Sequence, residues 1–151
     1  MPRYVITDTS VLIHLQNINR LEILRDIYQE INITPEISKE FGKPLPSWIK
    51  TETIKDKKYQ DIINTQLDLG ESSAIALAFE HSDSLLILDD LKARKLAKRI
   101  GLNFTGTLGV VNKAKELGLV DKIRPLIDDL QKVGLRISSE IIDDLLKRNN
   151  E

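Results

Sequence analysis

Short apolar runs alternate with amphipathic segments along the chain, and this alternation constrains the fold more than any other feature. The runs at residues 4–7, 31–34 and 85–88 have the length and composition of buried β-strands. Between them, apolar residues recur with the spacing of helices. Because successive parallel strands are joined by helical crossovers, this order predicts an α/β fold with a mainly parallel sheet of four to five strands.

Polar residues and a proline mark the expected starts of helices. Ser10, Asn19 and Thr107 are predicted N-caps, because their side chains can accept a hydrogen bond from a free backbone N–H. Pro35, after Thr34, suits a first helical position, where its missing N–H costs nothing. The other predicted elements are an edge strand within 48–54, a polar surface helix at 55–66, a helix from residue 69, a helix ending at Gly101, a strand at 103–105, and helices at 121–133 and 138–148.

The composition predicts a globular protein and excludes several kinds of site. Of 151 residues, 41% are apolar and 30% are charged, which suits one domain over residues 1–151. With no cysteine and two histidines, disulfides, thiolate sites and cysteine catalysis are excluded, and zinc is disfavoured. The absence of cysteine suits a cytoplasmic protein, and neither a signal peptide nor a membrane span is expected. The net charge of −1 argues against strong non-specific binding of nucleic acid.

Acidic residues follow two of the predicted strands. Asp8 comes directly after the first run, and Asp89 and Asp90 come after the third. Ligands of parallel sheets bind beyond the carboxyl ends of strands, so these carboxylates are expected to converge if the two strands are neighbours. Glu40 and Glu71, on predicted helices, are candidates to join them. Crowded carboxylates stay ionised only beside a cation, and oxygen ligands suit Mg²⁺ or Mn²⁺, so the pattern favours metal-dependent phosphodiester hydrolysis.

Each acid also has an ordinary structural explanation. An aspartate after a strand is most often a turn or cap residue, and Asp90 can cap the next helix and leave Asp89 facing inward. Glu71, in a first helical turn, suits the helix dipole, and a residue such as Glu40 lies on the surface of most helices. Spacing alone therefore leaves both interpretations open, although four such acids exceed what an α/β domain needs.

Four stretches of the chain resemble the motifs of PIN domains, in the right order and spacing. They are VITDTSVLIHL, TPEISKEF, LDLGESSAIALA and LLILDDLKARKLAKRIGLNFTGTLGVV, and the resemblance covers roughly residues 3–120. The last two are similar to the DUF3368 branch of these proteins. The resemblance implies a three-layer α/β/α domain, a metal-dependent ribonuclease, and catalytic and metal-ligand roles for Asp8, Glu40, Glu71 and Asp89.

The resemblance also implies roles for residues around these acids. Ser10 is expected to orient Asp8 or a metal-bound water, and Thr107 is expected to face the same pocket unless it only caps its helix. Asp90 is the alternative to Asp89. Arg94 can contact a phosphate or brace an acid, although an ordinary surface arginine fits its position equally well. The candidates for phosphate contacts, which also fit a solvated helix face, are Lys92, Arg94, Lys95, Lys98 and Arg99.

Several partners follow from the resemblance alone. They are RNA, a small antitoxin protein and a second copy of the chain, since many members are toxins of VapBC-type toxin–antitoxin pairs. The segment 44–58 has no counterpart in the shorter toxins, and the helices over 121–149 extend past the core motifs. Those helices are expected to pack on the core, with Ile141 and Leu145 on an apolar face that could also meet a partner.

Three other functions compete with ribonuclease activity. A binding module could keep the acids and work only through contacts with RNA or protein. A phosphotransfer receiver needs an acidic pair at the end of the first strand, where Asp8 stands alone. A dehalogenase-type phosphatase needs an aspartate at the position of Ser10, so both of these readings are weak.

Overall fold

A central sheet of five parallel strands organises the computed structural model, which describes residues 4–151. The strands are β1 (Tyr4–Thr7), β2 (Ile31–Ile33), β3 (Ile49–Thr51), β4 (Ser84–Ile87) and β5 (Phe104–Thr105). They lie in the order β3-β2-β1-β4-β5, and every neighbouring pair is parallel. Helices of the described residues flank this sheet, which confirms the predicted three-layer α/β/α fold.

The helices follow the strands in the alternation that the sequence predicts. The helix over Leu69–Phe79 packs against β1 and β4, and it also contacts the helices over Pro35–Phe41, Lys57–Asn64 and Leu91–Ile100. The helix over Glu22–Tyr28 contacts the helix over Thr107–Glu116. The helices are α1 (Thr9–Asn17), α2 (Glu22–Tyr28), α3 (Pro35–Phe41), α4 (Lys57–Asn64), α5 (Leu69–Phe79), α6 (Leu91–Ile100), α7 (Thr107–Glu116), α8 (Arg124–Lys132) and α9 (Ser139–Arg148).

The strand register fixes which residues share the carboxyl edge of the sheet. Thr7 pairs with Ile87, and Ile87 pairs with Thr105. The residues that follow β1, β4 and β5 therefore leave the sheet side by side. From β1 the chain adds β2 and β3 on one side of the sheet and then β4 and β5 on the other, so β1 and β4 flank a topological switch point. Parallel sheets bind their ligands at such a point. Asp8 and Asp89 stand on its two sides.

None of the three predicted N-caps, Ser10, Asn19 and Thr107, caps its helix. Asp8, not Ser10, is the N-cap of α1, because its extended backbone lets its side chain accept a hydrogen bond from the N–H of Val11 at 3.1 Å. Asn19 does not cap the second helix. It lies in a left-handed turn (φ 57°), and α2 begins after Leu21 without a side-chain cap.

The C-terminal helices belong to the same hydrophobic core as the sheet. Leu126, Leu130, Leu145 and Leu146 are buried in it, as predicted for this segment, whereas Ile141 is 55% exposed. Within residues 4–151 no helix combines the length and apolar character that a bilayer crossing requires.

Glu151 ties the C-terminal helices together, and its neutralisation is expected to destabilise the protein. Its carboxylate accepts hydrogen bonds from the backbone N–H groups of Ile123 and Arg124 and pairs with Lys115 at 2.6 Å. Burial alone would raise the pKa of Glu151, but these partners lower it from 4.5 to about 2. Glu151→Gln should lower the free energy of unfolding at pH 7 by about 1–3 kcal/mol.

The pH dependence distinguishes this effect from a general loss of packing. Because the pKa of Glu151 is lower in the folded state than its ordinary value of 4.5, the ionised carboxylate stabilises the folded protein above pH 4.5. This stabilisation is lost as the pH falls toward 2. Urea unfolding at pH 7 and pH 3 should therefore show a difference between Glu151→Gln and wild type that shrinks in acid. Glu140→Gln, an exposed change on α9, is the matched control. A difference that is equal at both pH values contradicts the electrostatic explanation.

Candidate active site

An acidic cavity of about 390 Å³ opens at the carboxyl edge of the sheet. It brings together three of the acids predicted from the sequence, each from a different part of the fold: Asp8 after β1, Glu40 on α3 and Glu71 on α5. We call this space the acidic cavity. It is lined by Asp8, Thr9, Ser10, Ile13, Glu40, Asp68 and Glu71.

Asp8 is the most buried of these acids, with 3% of its surface exposed. Besides the N–H of Val11, it accepts a hydrogen bond from the hydroxyl of Ser10 at 3.3 Å, the contact expected for Ser10. Burial, helped by the negative charges of Asp89 and Asp68, raises the pKa of Asp8 from 3.8 to about 7 against these hydrogen bonds. Asp8 is thus a buried carboxyl that is held in place by hydrogen bonds and, among residues 4–151, not by a cation.

Glu40, on α3, is positioned by contacts with Thr9 and with Gly70 of α5. It accepts a hydrogen bond from the hydroxyl of Thr9. Its carboxylate also rests against Gly70, where a Cβ would overlap Oε1 and lie 3.0 Å from Oε2. Only glycine at position 70 leaves room for this carboxylate.

The helices that carry Glu40 and Glu71 are joined at their starts by a buried hydrogen bond. The hydroxyl of Thr34 accepts from the N–H of Ile37 at 3.2 Å and so caps α3. The same hydroxyl lies 2.7 Å from that of Ser73 on α5. This contact fixes α3 against α5, the two helices that bring Glu40 and Glu71 to the acidic cavity.

Glu71 lies in the first turn of α5 and is half-buried. Burial raises its pKa from 4.5 to about 8, and a hydrogen bond with Asp68 and the charges of Asp68, Asp90 and Asp8 add to the shift. Asp68, which caps α5 through the N–H of Glu71 at 3.2 Å, was not among the sequence candidates. The spacing Asp-Leu-Gly-Glu, an N-cap aspartate three residues before an acid, is the pattern that could have identified it.

Asp89 and Asp90 have different partners. Asp89 accepts two hydrogen bonds from Thr107, one from the backbone N–H at 2.8 Å and one from the hydroxyl at 2.6 Å. Asp90 caps α6 by accepting from the N–H of Ala93 at 2.9 Å. Thr107 is itself not a cap, because Gly106 holds that position in α7 and the Thr107 hydroxyl is directed to Asp89. Asp89 therefore lies across the switch point from Asp8, and Asp90 is the N-cap of α6.

Asp89 borders a second cavity, of about 450 Å³, rather than the acidic cavity itself. Arg94 borders the second cavity too, with its guanidinium 5.1 Å from the centre of the Phe104 ring. Of the basic residues predicted to contact phosphate, Arg94 alone borders either cavity. Lys92, Lys95, Lys98 and Arg99 are exposed on α6.

The donor chemistry of the site fits a hard divalent cation. Among residues 4–151, the charged side chains that line the acidic cavity are all carboxylates, the ligands that such a cation prefers. Burial, and then the negative charges of neighbouring acids, raise the pKa of Asp8 and of Glu71, and a bound cation would offset both effects. Across residues 4–151, however, no three ligating side chains already surround one point, so binding an ion requires these carboxylates to move closer together.

The chain thus combines an all-parallel α/β sheet with carboxylates at its switch point. A sequence model of the DUF3368 family, described as a PIN domain, matches residues 4–151, and the chain belongs to the PIN-domain family. PIN domains are generally nucleases. The match extends past residue 120, so the C-terminal helices are part of the family pattern rather than an addition to it. Among curated proteins, none matches the chain.

Proposed function

We propose that this protein is an endoribonuclease that hydrolyses RNA phosphodiester bonds with Mg²⁺ or Mn²⁺ held by Asp8, Glu40, Glu71 and Asp89. The observation that carries the proposal is the position of Asp8, a buried carboxyl at the switch point with further acids around it. Of residues 4–151, none that lines its cavity is basic. A folded protein gains nothing in stability from such a charge, so a cation is its natural partner.

The residues of the chain would act mainly by positioning. A bound ion would polarise the phosphodiester and lower the pKa of an attacking water. Val11 and Ser10 fix the orientation of Asp8, and Thr107 fixes Asp89 through two hydrogen bonds. Arg94, whose guanidinium is held by Phe104, is placed to meet a phosphate of the substrate.

Cleavage of a labelled single-stranded RNA tests this proposal. Protein freed of metal with a chelator should be inactive, and addition of Mg²⁺ or Mn²⁺ should restore cleavage. A preparation that binds RNA but cuts none with either ion would favour the second candidate, a binding module. The absence of three gathered ligands in residues 4–151 is the observation that keeps this candidate in consideration.

A divalent ion is also expected to stabilise the protein, and to do so more at higher pH. The pKa values of Asp8 and Glu71 are raised, from 3.8 and 4.5 to about 7 and about 8. Stability of the metal-free protein should therefore fall as the pH rises from about 4 through 8, since the folded state must give up protons that it holds more tightly.

Thermal unfolding measures this gain. Saturating Mn²⁺ should raise the midpoint by about 5–10 °C at pH 8.5 and by less at pH 5.5, where protons compete with the ion. NaCl at the same ionic strength is the control. An equal shift with NaCl, or a shift that does not grow with pH, contradicts binding at these acids.

The biological setting is part of the same proposal. We propose a cytoplasmic role as the toxin of a toxin–antitoxin pair, with RNA as substrate and a small antitoxin and a second copy of the chain as partners. Induced expression of the wild-type chain should arrest growth, and a neighbouring gene for a small DNA-binding protein should relieve the arrest. Growth that continues during expression of soluble protein contradicts the toxin role and leaves the ribonuclease proposal intact.

A further inference from the structure

The second cavity lies beside the acids, and of its lining residues the proposed function uses only Asp89 and Arg94. Its lining includes Asp89 and Arg94, residues 135–138 of the connection between α8 and α9, and Ile141 in the first turn of α9. Its volume of about 450 Å³ lies in the range, roughly 300–1,000 Å³, of sites that hold small organic groups. The cavity therefore has space for one nucleotide next to the acidic edge.

The walls of the second cavity combine apolar side chains with two cations. Leu91 and Ile141, which both border this cavity, are 66% and 55% exposed, so the cavity presents two large aliphatic side chains to solvent. Arg94 and Arg136 border the same space. Within residues 4–151 neither arginine has a carboxylate within ion-pair distance. An occupant with an anionic group and a flat apolar face would satisfy both parts of this surface.

We propose that the second cavity binds one unpaired nucleotide of the RNA, adjacent to the cleaved phosphate, with Arg136 and Arg94 at its phosphate and Leu91 and Ile141 against its base. Charge complementarity favours this occupant, because the acidic cavity repels RNA whereas Arg94 and Arg136 border the second cavity. A base held in a duplex could not enter, so the cavity would also give a preference for single strands. This inference rests on the proposed ribonuclease function and adds the place where the substrate is held.

RNA binding, measured without cleavage, tests the inference separately from the function. Fluorescence anisotropy in chelator gives the affinity for a labelled single-stranded RNA and for an abasic ribose-phosphate chain of equal length. Arg136→Ala should weaken binding of both chains about tenfold and reduce the salt dependence by about one charge. Ile141→Ala should weaken only the RNA with bases, by about fivefold.

Matched variants keep the test sharp. Arg20→Ala removes an exposed arginine between α1 and α2 that borders neither cavity, and Leu117→Ala removes an apolar side chain that is 49% exposed elsewhere. Both should bind RNA like wild type, and thermal unfolding verifies that all four variants fold. Wild-type affinity in Arg136→Ala and Ile141→Ala, or an equal loss in the controls, overturns the inference and leaves the cavity to a protein partner. Normal binding by wild type without metal-dependent cleavage would instead overturn the proposed function.

Discussion

Asp8→Asn is expected to reduce RNA cleavage by at least about 100-fold and, at the same time, to stabilise the metal-free protein at pH 8. Asparagine keeps the oxygen that accepts from the N–H of Val11 and the hydroxyl of Ser10, so α1 remains capped. It removes a negative charge that is 3% exposed and whose pKa is raised to about 7. Loss of activity and gain of stability therefore have the same cause.

The sign of the stability change follows from the raised pKa. At pH 4 the Asp8 carboxyl of the folded protein is protonated and the variant has little advantage. Above pH 7 the wild type must ionise a buried group, so the variant should be more stable by on the order of 2 kcal/mol at pH 8. Chelator-treated samples unfolded in urea at both pH values measure this.

The control for Asp8→Asn is Asp128→Asn, at an exposed position of α8. It should change neither cleavage nor the pH dependence of unfolding. Metal-dependent cleavage that persists in Asp8→Asn would rule out the site as described. A loss of stability at pH 8 would contradict the raised pKa of Asp8, because asparagine keeps the cap of α1.

Gly70→Ala is expected to have an effect on cleavage as large as removal of the Glu40 carboxylate, about 100-fold. In an ordinary helix, alanine in place of glycine would stabilise by about 1 kcal/mol. Here the added Cβ would occupy the position of the Glu40 carboxylate, which must then turn away from the acidic cavity. Because Glu40 is exposed and its side chain can move, we expect a folded protein with little or no loss of stability.

A double-mutant cycle separates displacement of Glu40 from a general disturbance of α5. If Gly70→Ala acts through Glu40, then Gly70→Ala combined with Glu40→Gln should cleave RNA no more slowly than Glu40→Gln alone. Cleavage rates of the four proteins at saturating Mn²⁺ give the comparison. Independent, multiplying losses would contradict the proposed contact, and so would wild-type activity in Gly70→Ala.

The sheet and two of its acids were predictable because they depend on local patterns. Continuous apolar runs such as 85–88 can be strands of a parallel sheet, and the alternation with helices determines that β1 and β4 are parallel. Asp8 and Asp89 then reach the same edge whatever the details of packing. The different hydrogen-bond partners of Asp89 and Asp90 could not be predicted from the sequence, because the partner of Asp89 is Thr107, 18 residues further along.

Other features depend on contacts between distant segments and gave no local pattern. Glu40 is positioned by Thr9 and Gly70, which lie 31 and 30 residues away from it in the chain. The predicted cap at Ser10 failed because the extended backbone of Asp8 places that carboxylate over the first turn of α1. The second cavity is lined by residues within 135–141 and by residues of α6, and no motif of the sequence indicates that these two segments lie together.

The most direct test of the central claim measures Mn²⁺ binding and RNA cleavage on one metal-free sample. Electron paramagnetic resonance of free Mn²⁺ gives the bound fraction, and gel analysis gives the cleavage rate and the product ends. We expect no cleavage in chelator, a rate that rises with bound Mn²⁺, and products without the cyclic phosphate that a metal-independent ribonuclease would leave. Glu71→Gln should lose both binding and cleavage. Cleavage in chelator, or Mn²⁺ binding and cleavage unchanged in Glu71→Gln, would contradict a metal-dependent nuclease built on these acids.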